Sequence, residues 1–126
     1  MEQKILIVDD EAHIRMLIEQ TLEELEDEGV NFFTAENGEQ ALEIIQAEKP
    51  RLVFLDVMMP KMNGMEVCRR VKKELGMHNV FIVLLTAKGQ EMDRQKGQEV
   101  GADVYMTKPF DPEAILKKAR QVLNLT

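Results

Sequence analysis

Leu52-Val53-Phe54-Leu55-Asp56-Val57-Met58-Met59-Pro60 is the run on which the fold turns. Four apolar residues of strand length carry one carboxylate, Asp56, at their carboxyl end, and Pro60 breaks the pattern soon after. A strand apolar on both faces belongs in the middle of a parallel sheet covered on both sides. Its terminal carboxylate then stands at the rim of a buried scaffold, and Asp56 is the residue that the chain is read as presenting for modification.

On either side of this run, short apolar segments alternate with amphipathic stretches of ten or more residues, the pattern of repeated βαβ units. Residues 4–8 form a first strand that ends on Asp9, Asp10 and Glu11. Ile14, Leu17, Ile18, Leu22 and Leu25 then make one helical stripe, and an acidic loop runs to Gly29. Residues 31–35 are a second strand. The turn Glu36-Asn37-Gly38 opens a helix that turns Ala41, Leu42 and Ile45 inward. Residues 52–56 are the third strand, and after Asn63-Gly64 a third helix buries Val67, Cys68, Val71 and Leu75. Residues 80–85 form a fourth strand running into Thr86-Ala87. The stretch 90–99 is the weak helix of the set: Met92 is its only large apolar residue and it contains Gly97, so packing should hold it least firmly. A short fifth strand over 104–106 leads to Thr107-Lys108-Pro109-Phe110. Asp111 as N-cap and Pro112 at the first helical position then start a last helix that buries Ile115, Ala119, Val122 and Leu123.

Five strands and five helices in strict alternation predict one α/β domain over 1–126. Its sheet is a doubly wound, three-layer, five-stranded parallel one in the flavodoxin-like order 2-1-3-4-5. With 126 residues the chain fits one domain, and at 44% hydrophobic and 31% charged it has the composition of an ordinary globular protein. The net charge of -7 argues against direct binding of nucleic acid or anionic lipid. A single cysteine, Cys68, excludes an internal disulfide and fits a reducing compartment. No apolar run is long enough to span a bilayer, and the start has no signal-peptide layout, so a cytoplasmic protein is expected.

In the order 2-1-3-4-5, ligands bind outside the carboxyl ends of strands one and three. Those ends carry Asp9, Asp10 and Asp56, and the neighbouring strand ends add Thr86 and Lys108. Carboxylates crowded at one edge raise each other's pKa unless a cation sits among them. All the side chains on offer are hard oxygen donors without His or Cys, which favours magnesium, or manganese, over zinc. A cation there neutralises a phosphoryl group in flight, while Lys108 and the Thr86 hydroxyl can hold its remaining oxygens. The set is suited to moving a phosphoryl group onto Asp56.

These residues bring a family into view. The chain resembles the receiver domain of two-component response regulators, from Ile5-Leu-Ile-Val-Asp-Asp-Glu through Leu55-Asp-Val-Met-Met-Pro, Asn63-Gly64, Leu85-Thr-Ala and Gly101-Ala-Asp to Lys108-Pro-Phe. Each piece alone is weak; all of them in order and at these spacings are specific. The resemblance implies that Asp56 accepts phosphate from the phosphohistidine of a sensor histidine kinase or a histidine phosphotransfer protein. It implies magnesium held by Asp10, Asp56 and the Met58 backbone carbonyl, with Asp9 acting largely through water. Thr86 and Lys108 contact the acyl phosphate, and the Lys108-Pro109 bond is cis. Tyr105 matches the switch aromatic: as Thr86 moves toward the phosphate, Tyr105 turns inward, and the face of fourth helix, fifth strand and fifth helix changes its affinity for a downstream protein target. Such a chain is a monomer or a weak, phosphorylation-dependent dimer. It is a phosphoacceptor that assists its own phosphorylation and dephosphorylation, not a turnover enzyme. It serves as a stand-alone regulator or phosphorelay intermediate, or as the receiver of a longer regulator.

Two departures matter. The branch of the family with winged-helix outputs usually has two acidic residues after Gly-Ala, and here Val104 replaces the second, which puts charge-paired dimerisation in question. Met58 and Lys88 occupy positions that tune phosphate lifetime, and a bulky Met58 could shield the acyl phosphate from water. Taken singly, the same residues read blandly: Asp9, Asp10 and Lys108 as solvated groups, Thr86 as a strand-end hydroxyl, Tyr105 as a half-buried sheet residue, His13 and His78 as surface residues. Met58, Met59, Met62 and Met65 read as packing or contact residues. Among competing functions, an aspartyl-phosphate phosphohydrolase of the haloacid dehalogenase type would need a second Asp where Met58 stands. A nucleotide or flavin binder would need a Gly-rich loop that no strand here precedes.

Overall fold

The computed structural model describes residues 3–87, 96 and 98–125. Its strands are β1 (Gln3–Val8), β2 (Val30–Ala35), β3 (Leu52–Asp56), β4 (Phe81–Ala87) and β5 (Val104–Lys108). All pair in parallel in the order β2-β1-β3-β4-β5, the sheet expected from the sequence. Every residue of β3 is buried, as its two-faced apolarity requires. Alternate residues feed two cores. Leu6, Val8, Val53, Leu55, Ile82 and Leu84 pack beneath α2 (Gly38–Glu48) and α3 (Gly64–Arg69). Ile5, Ile7, Leu52, Phe54, Val83 and Leu85 pack beneath α1 (Ala12–Thr21) and the C-terminal helix (Pro112–Leu123). This is the period-two alternation of a sheet covered on both faces.

Helix starts follow the sequence closely. Asn37 accepts the Gln40 N–H at 2.9 Å, Asn63 the Glu66 N–H at 3.0 Å and Asp111 the Glu113 N–H at 3.0 Å, each satisfying an otherwise unbonded donor of a first turn. The fourth helix expected over 90–99 falls largely outside the described residues, and so does Lys88; Lys96, Gln98 and Glu99 are helical.

Two helices depart from the expected stripes. α1 ends at Thr21, and residues Glu23–Glu28 wind as a 3-10 turn closed by left-handed Gly29. Ile18, Leu22 and Leu25 are buried as expected, but Leu17 is 43% exposed. The third helix buries Val67, Cys68 and Val71 but not Leu75, which is 44% exposed. Residues Arg70–Glu74 form a π-turn in which Leu75 N–H donates to Arg70 C=O at 2.8 Å, so one extra residue enters the turn and rotates Leu75 outward. The same stretch turns Lys72 inward, where its ammonium donates to Val80 C=O at 2.6 Å and pairs with Asp103 at 2.9 Å. Asp103 also accepts the Ile82 N–H at 2.8 Å, so this buried charge is satisfied on every side.

Two glycines let loops close on the carboxyl edge of the sheet. A Cβ on Gly64 would stand 2.2 Å from the Asp56 carbonyl oxygen, and one on Gly38 would stand 2.0 Å from that of Met62. Gly29, at φ +86°, has open space around its missing Cβ. Gly29→Ala is therefore expected to cost about 1–2 kcal/mol through backbone strain alone. Gly64 has no positive φ, but Gly64→Ala must displace the strand end that carries Asp56 and should cost more. Urea unfolding of both variants checks the order, and equal losses would show that the close approach at Gly64 is not what its backbone requires.

Candidate functional site

β1 and β3 are neighbours, paired through Val8 and Leu55, so the residues that follow them emerge together at the carboxyl edge. Asp9, Asp10 and Asp56 each place a carboxylate oxygen there, all within 4.8 Å of one another. Asp9 is fully buried, Asp56 is 5% exposed, and Asp10 faces solvent. Opposite them, at the end of β5, the Lys108 ammonium donates to Asp9 Oδ2 at 2.8 Å and to Asp56 Oδ1 at 3.1 Å. The second oxygen of Asp9 accepts the Glu11 N–H at 2.9 Å. The Lys108-Pro109 peptide is cis, as the resemblance implied.

One ammonium faces three carboxylates, and the balance shows in proton affinity. Asp56 is raised from 3.8 to about 6: burial is the largest cause, the Asp9 charge the next, and Lys108 offsets only part of the rise. Burial alone would lower Lys108, but its hydrogen bond to Asp9 and the charges of Asp56 and Asp9 prevail and raise it. Lys108 is therefore charged at neutral pH. Asp56 loses its proton only near neutrality, unless further positive charge arrives.

The other expected residues surround this centre. Asp56 pairs with Leu85, which puts buried Thr86 one residue further along β4, and Lys108 pairs with Ala87. Tyr105 is half-buried on β5 and packs against the core beneath α2 and α3. Met58 is 61% exposed in the loop after β3. His13 and His78 are exposed, as expected. Cys68 is buried, its thiol 3.6 Å from Val100 C=O and its pKa pushed up to about 12 chiefly by burial, which leaves it an inert core residue.

Two residues of the site give no sign of themselves in the sequence. Arg15 reaches back from α1 to donate to the Asp9 backbone carbonyl at 2.6 Å and pairs with Glu36 at 3.6 Å, tying the loop after β1 to the loop after β2. In the sequence Arg15 is one more charged residue on a helix. Lys61 sits at φ +69° in a three-residue γ-turn, closed by Met62 N–H to Pro60 C=O at 2.8 Å. This turn lies two residues before the Asn63 cap, and no glycine marks it.

The donors present suit a hard divalent cation. Three carboxylates converge, no His or Cys joins them among the described residues, and the exposed Asp10 leaves an approach from solvent.

Comparison with known proteins agrees with this arrangement. The family model described as the response regulator receiver domain matches residues 5–120. Among curated relatives, "Probable transcriptional regulator ycf27" of Porphyra purpurea is 48% identical over 123 residues, covering 98% of this chain and 48% of the relative. The alkaline phosphatase synthesis transcriptional regulatory protein PhoP of Bacillus subtilis is 44% identical over 124 residues, covering 98% of this chain and 50% of that protein. The chain spans about half the length of these relatives. Among solved structures, the BeF3-activated DrrB receiver domain superposes with a TM-score of 0.84 at 35% identity, covering 98% of this chain and 99% of that one.

The raised proton affinity of Asp56 fixes a sign. Its folded value of about 6 lies above the ordinary 3.8, so the stability that goes with its protonated form is present below about pH 4 and is lost as pH rises through about 6. Asp56→Asn removes that loss. In metal-free buffer near neutral pH the variant should be more stable than wild type by up to about 3 kcal/mol, a difference that vanishes toward about pH 4. Denaturant unfolding in EDTA across this range measures it, and a gain independent of pH would rule out the ionisation of buried Asp56 as its source.

Proposed function

The chain belongs to the response regulator receiver domain family, and from that premise we propose that Asp56 is its phosphoacceptor, loaded from the phosphohistidine of a sensor histidine kinase or a histidine phosphotransfer protein. The observation that carries the reading is the Lys108 ammonium, 3.1 Å from Asp56 and 2.8 Å from Asp9 at an edge where three carboxylates meet. A carboxylate oxygen of Asp56 forms the new P–O bond as the donor's P–N bond breaks. The leaving imidazole keeps the bonding electrons and takes up a proton. Asp56 must be ionised to attack, and Lys108 favours that form.

Asp10, Asp56 and the Met58 backbone carbonyl would hold magnesium, or manganese in its place, with Asp9 beside them acting largely through water. When bound, the cation neutralises charge on the phosphoryl oxygens. Lys108 orients one phosphoryl oxygen, and the Thr86 hydroxyl, one residue beyond the β4 partner of Asp56, donates to another. That movement of Thr86 favours an inward Tyr105, and the face formed by the fourth helix, β5 and the C-terminal helix then changes its affinity for a downstream protein.

Residues 1–126 act as one receiver unit, and the unit itself touches no nucleic acid and no membrane; no helix among the described residues is long and apolar enough to cross one. The curated relatives are transcriptional regulators about twice as long. The unit serves either as a regulator by itself or as the receiver of such a longer protein, in the cytoplasm. It works as a monomer or as a weak dimer formed on phosphorylation.

Incubation with acetyl phosphate and magnesium, followed by intact-mass measurement, should add one phosphoryl group to wild type and none to Asp56→Asn. Absence of the gain in wild type would sink the reading. Met58, exposed two residues after Asp56, shields the acyl phosphate from attacking water, so Met58→Asn should shorten the phosphorylated half-life severalfold. An unchanged or longer half-life would count against the shield.

A further inference from the structure

The opposite edge of the sheet carries a second concentration of charge, of the other sign. A pocket of about 380 Å³ opens where β3 and β4 begin, and Arg51, His78 and Lys118 line it. Asn79 and Gln121 add amide groups, and Phe81 and Val122 supply an apolar wall. No acidic residue lines it, in a chain whose net charge is -7.

Local structure fixes this convergence. Arg51 N–H donates to Lys4 C=O at 2.9 Å, and Arg51 C=O accepts the Phe81 N–H at 2.9 Å, so the backbone of Arg51 is stitched between the starts of β1 and β4. His78 is held in a turn by its N–H to Gly76 C=O at 3.0 Å. Lys118, Gln121 and Val122 lie three and four positions apart on the C-terminal helix, hence on one face. Some basic side chains find partners, Lys4 with Glu48, Arg69 with Glu66 and Glu74, Lys72 with Asp103, Arg120 with Glu24 and Glu28, while Lys49, Lys61, Lys73, Lys96 and Lys117 make no ion pair among the described residues but do not line this pocket. Arg51, His78 and Lys118 make no ion pair among the described residues. Arg51 and Lys118 carry positive charge and line one concave site without a counter-ion among the described residues, so an anion there would meet both.

We propose that this pocket binds a small organic phosphate, its phosphate groups meeting Arg51, His78 and Lys118 and its organic part lying on Phe81 and Val122. Arg51 offers the planar fork that matches phosphate oxygens, and Lys118 offers a point charge. The pocket is concave and of small-molecule size, which favours such a ligand over an acidic protein segment. The site is separate from the carboxylate edge and asks nothing of Asp56.

Adenosine diphosphate is the probe, titrated calorimetrically in EDTA so that the carboxylates cannot recruit a metal-nucleotide complex. Wild type should bind one equivalent, more weakly as salt rises. Arg51→Gln/Lys118→Gln should bind at least about tenfold more weakly, given the strength of charge-assisted hydrogen bonds. Asp56→Asn should bind like wild type. Inorganic pyrophosphate should bind the same site severalfold less tightly, because it leaves Phe81 and Val122 uncovered. Unaltered melting of the double variant, and its unaltered phosphorylation by acetyl phosphate, would show that the fold is intact. No saturable binding by wild type, binding that survives in the double variant, pyrophosphate binding as tight as that of the nucleotide, or stronger capture of poly-glutamate would each overturn the assignment.

Discussion

Lys108 holds two carboxylates at once, and the carboxyl end of the sheet is arranged around that contact. Its ammonium lies 2.8 Å from Asp9 and 3.1 Å from Asp56. Asp9 and Asp56 are nearly sealed from solvent, while Lys108 keeps some exposure, so the attraction acts in a medium less screening than water. Burial and, after it, the neighbouring Asp9 charge outweigh what Lys108 supplies at Asp56, whose proton is held to about pH 6. A strained site of this kind persists only where its supports cannot relax. Ile5 to Val8 and Leu52 to Leu55 are completely buried, and the strands beneath the carboxylates cannot separate without opening both cores. Site and scaffold are thus coupled: the apolar strands make the repulsion possible by refusing to move.

The loops around the edge are held as firmly as the strands. Gly64 N–H donates to Val57 C=O at 2.9 Å, and the contact leaves no room for a side chain. Gly38 brings the start of α2 equally close to Met62, across the loop that Lys61 bends. Arg15 fastens the Asp9 backbone from the other side. Met58, which this framework surrounds, is nonetheless 61% exposed.

Much of this was legible in the sequence because it rests on local rules. Period-two and period-3.6 patterns located the strands and most of the helices, and Asn37, Asn63 and Asp111 announced three helix starts. Parallel topology then brought Asp9, Asp10, Asp56 and Lys108 to one edge, because each stands at a strand end. What escaped depends on contacts between distant segments. Leu75 fits the apolar stripe of a regular helix, and only the buried Lys72 to Asp103 pair, joining residues thirty-one apart, accompanies the π-turn that turns Leu75 out. The left-handed Lys61 is a backbone state that its residue type disfavours, in a loop that Gly38 approaches closely at Met62.

A parallel sheet begins all its strands at one edge and ends them all at the other, so loop residues sort into two populations that never mix. Here the loops of the carboxyl edge collect Asp9, Asp10 and Asp56, and those of the amino edge hold Arg51 and His78, which line one pocket with Lys118 of the C-terminal helix. β3 alone, at about 3.3 Å per residue, separates them by roughly 17 Å. That exceeds the distance of about 8 Å over which physiological salt screens exposed charges. The two edges therefore exert little direct electrostatic pull on each other, and each can bind an ion of opposite sign without spoiling the other's site. What joins the two edges physically is the paired and largely buried run of β3 and β4.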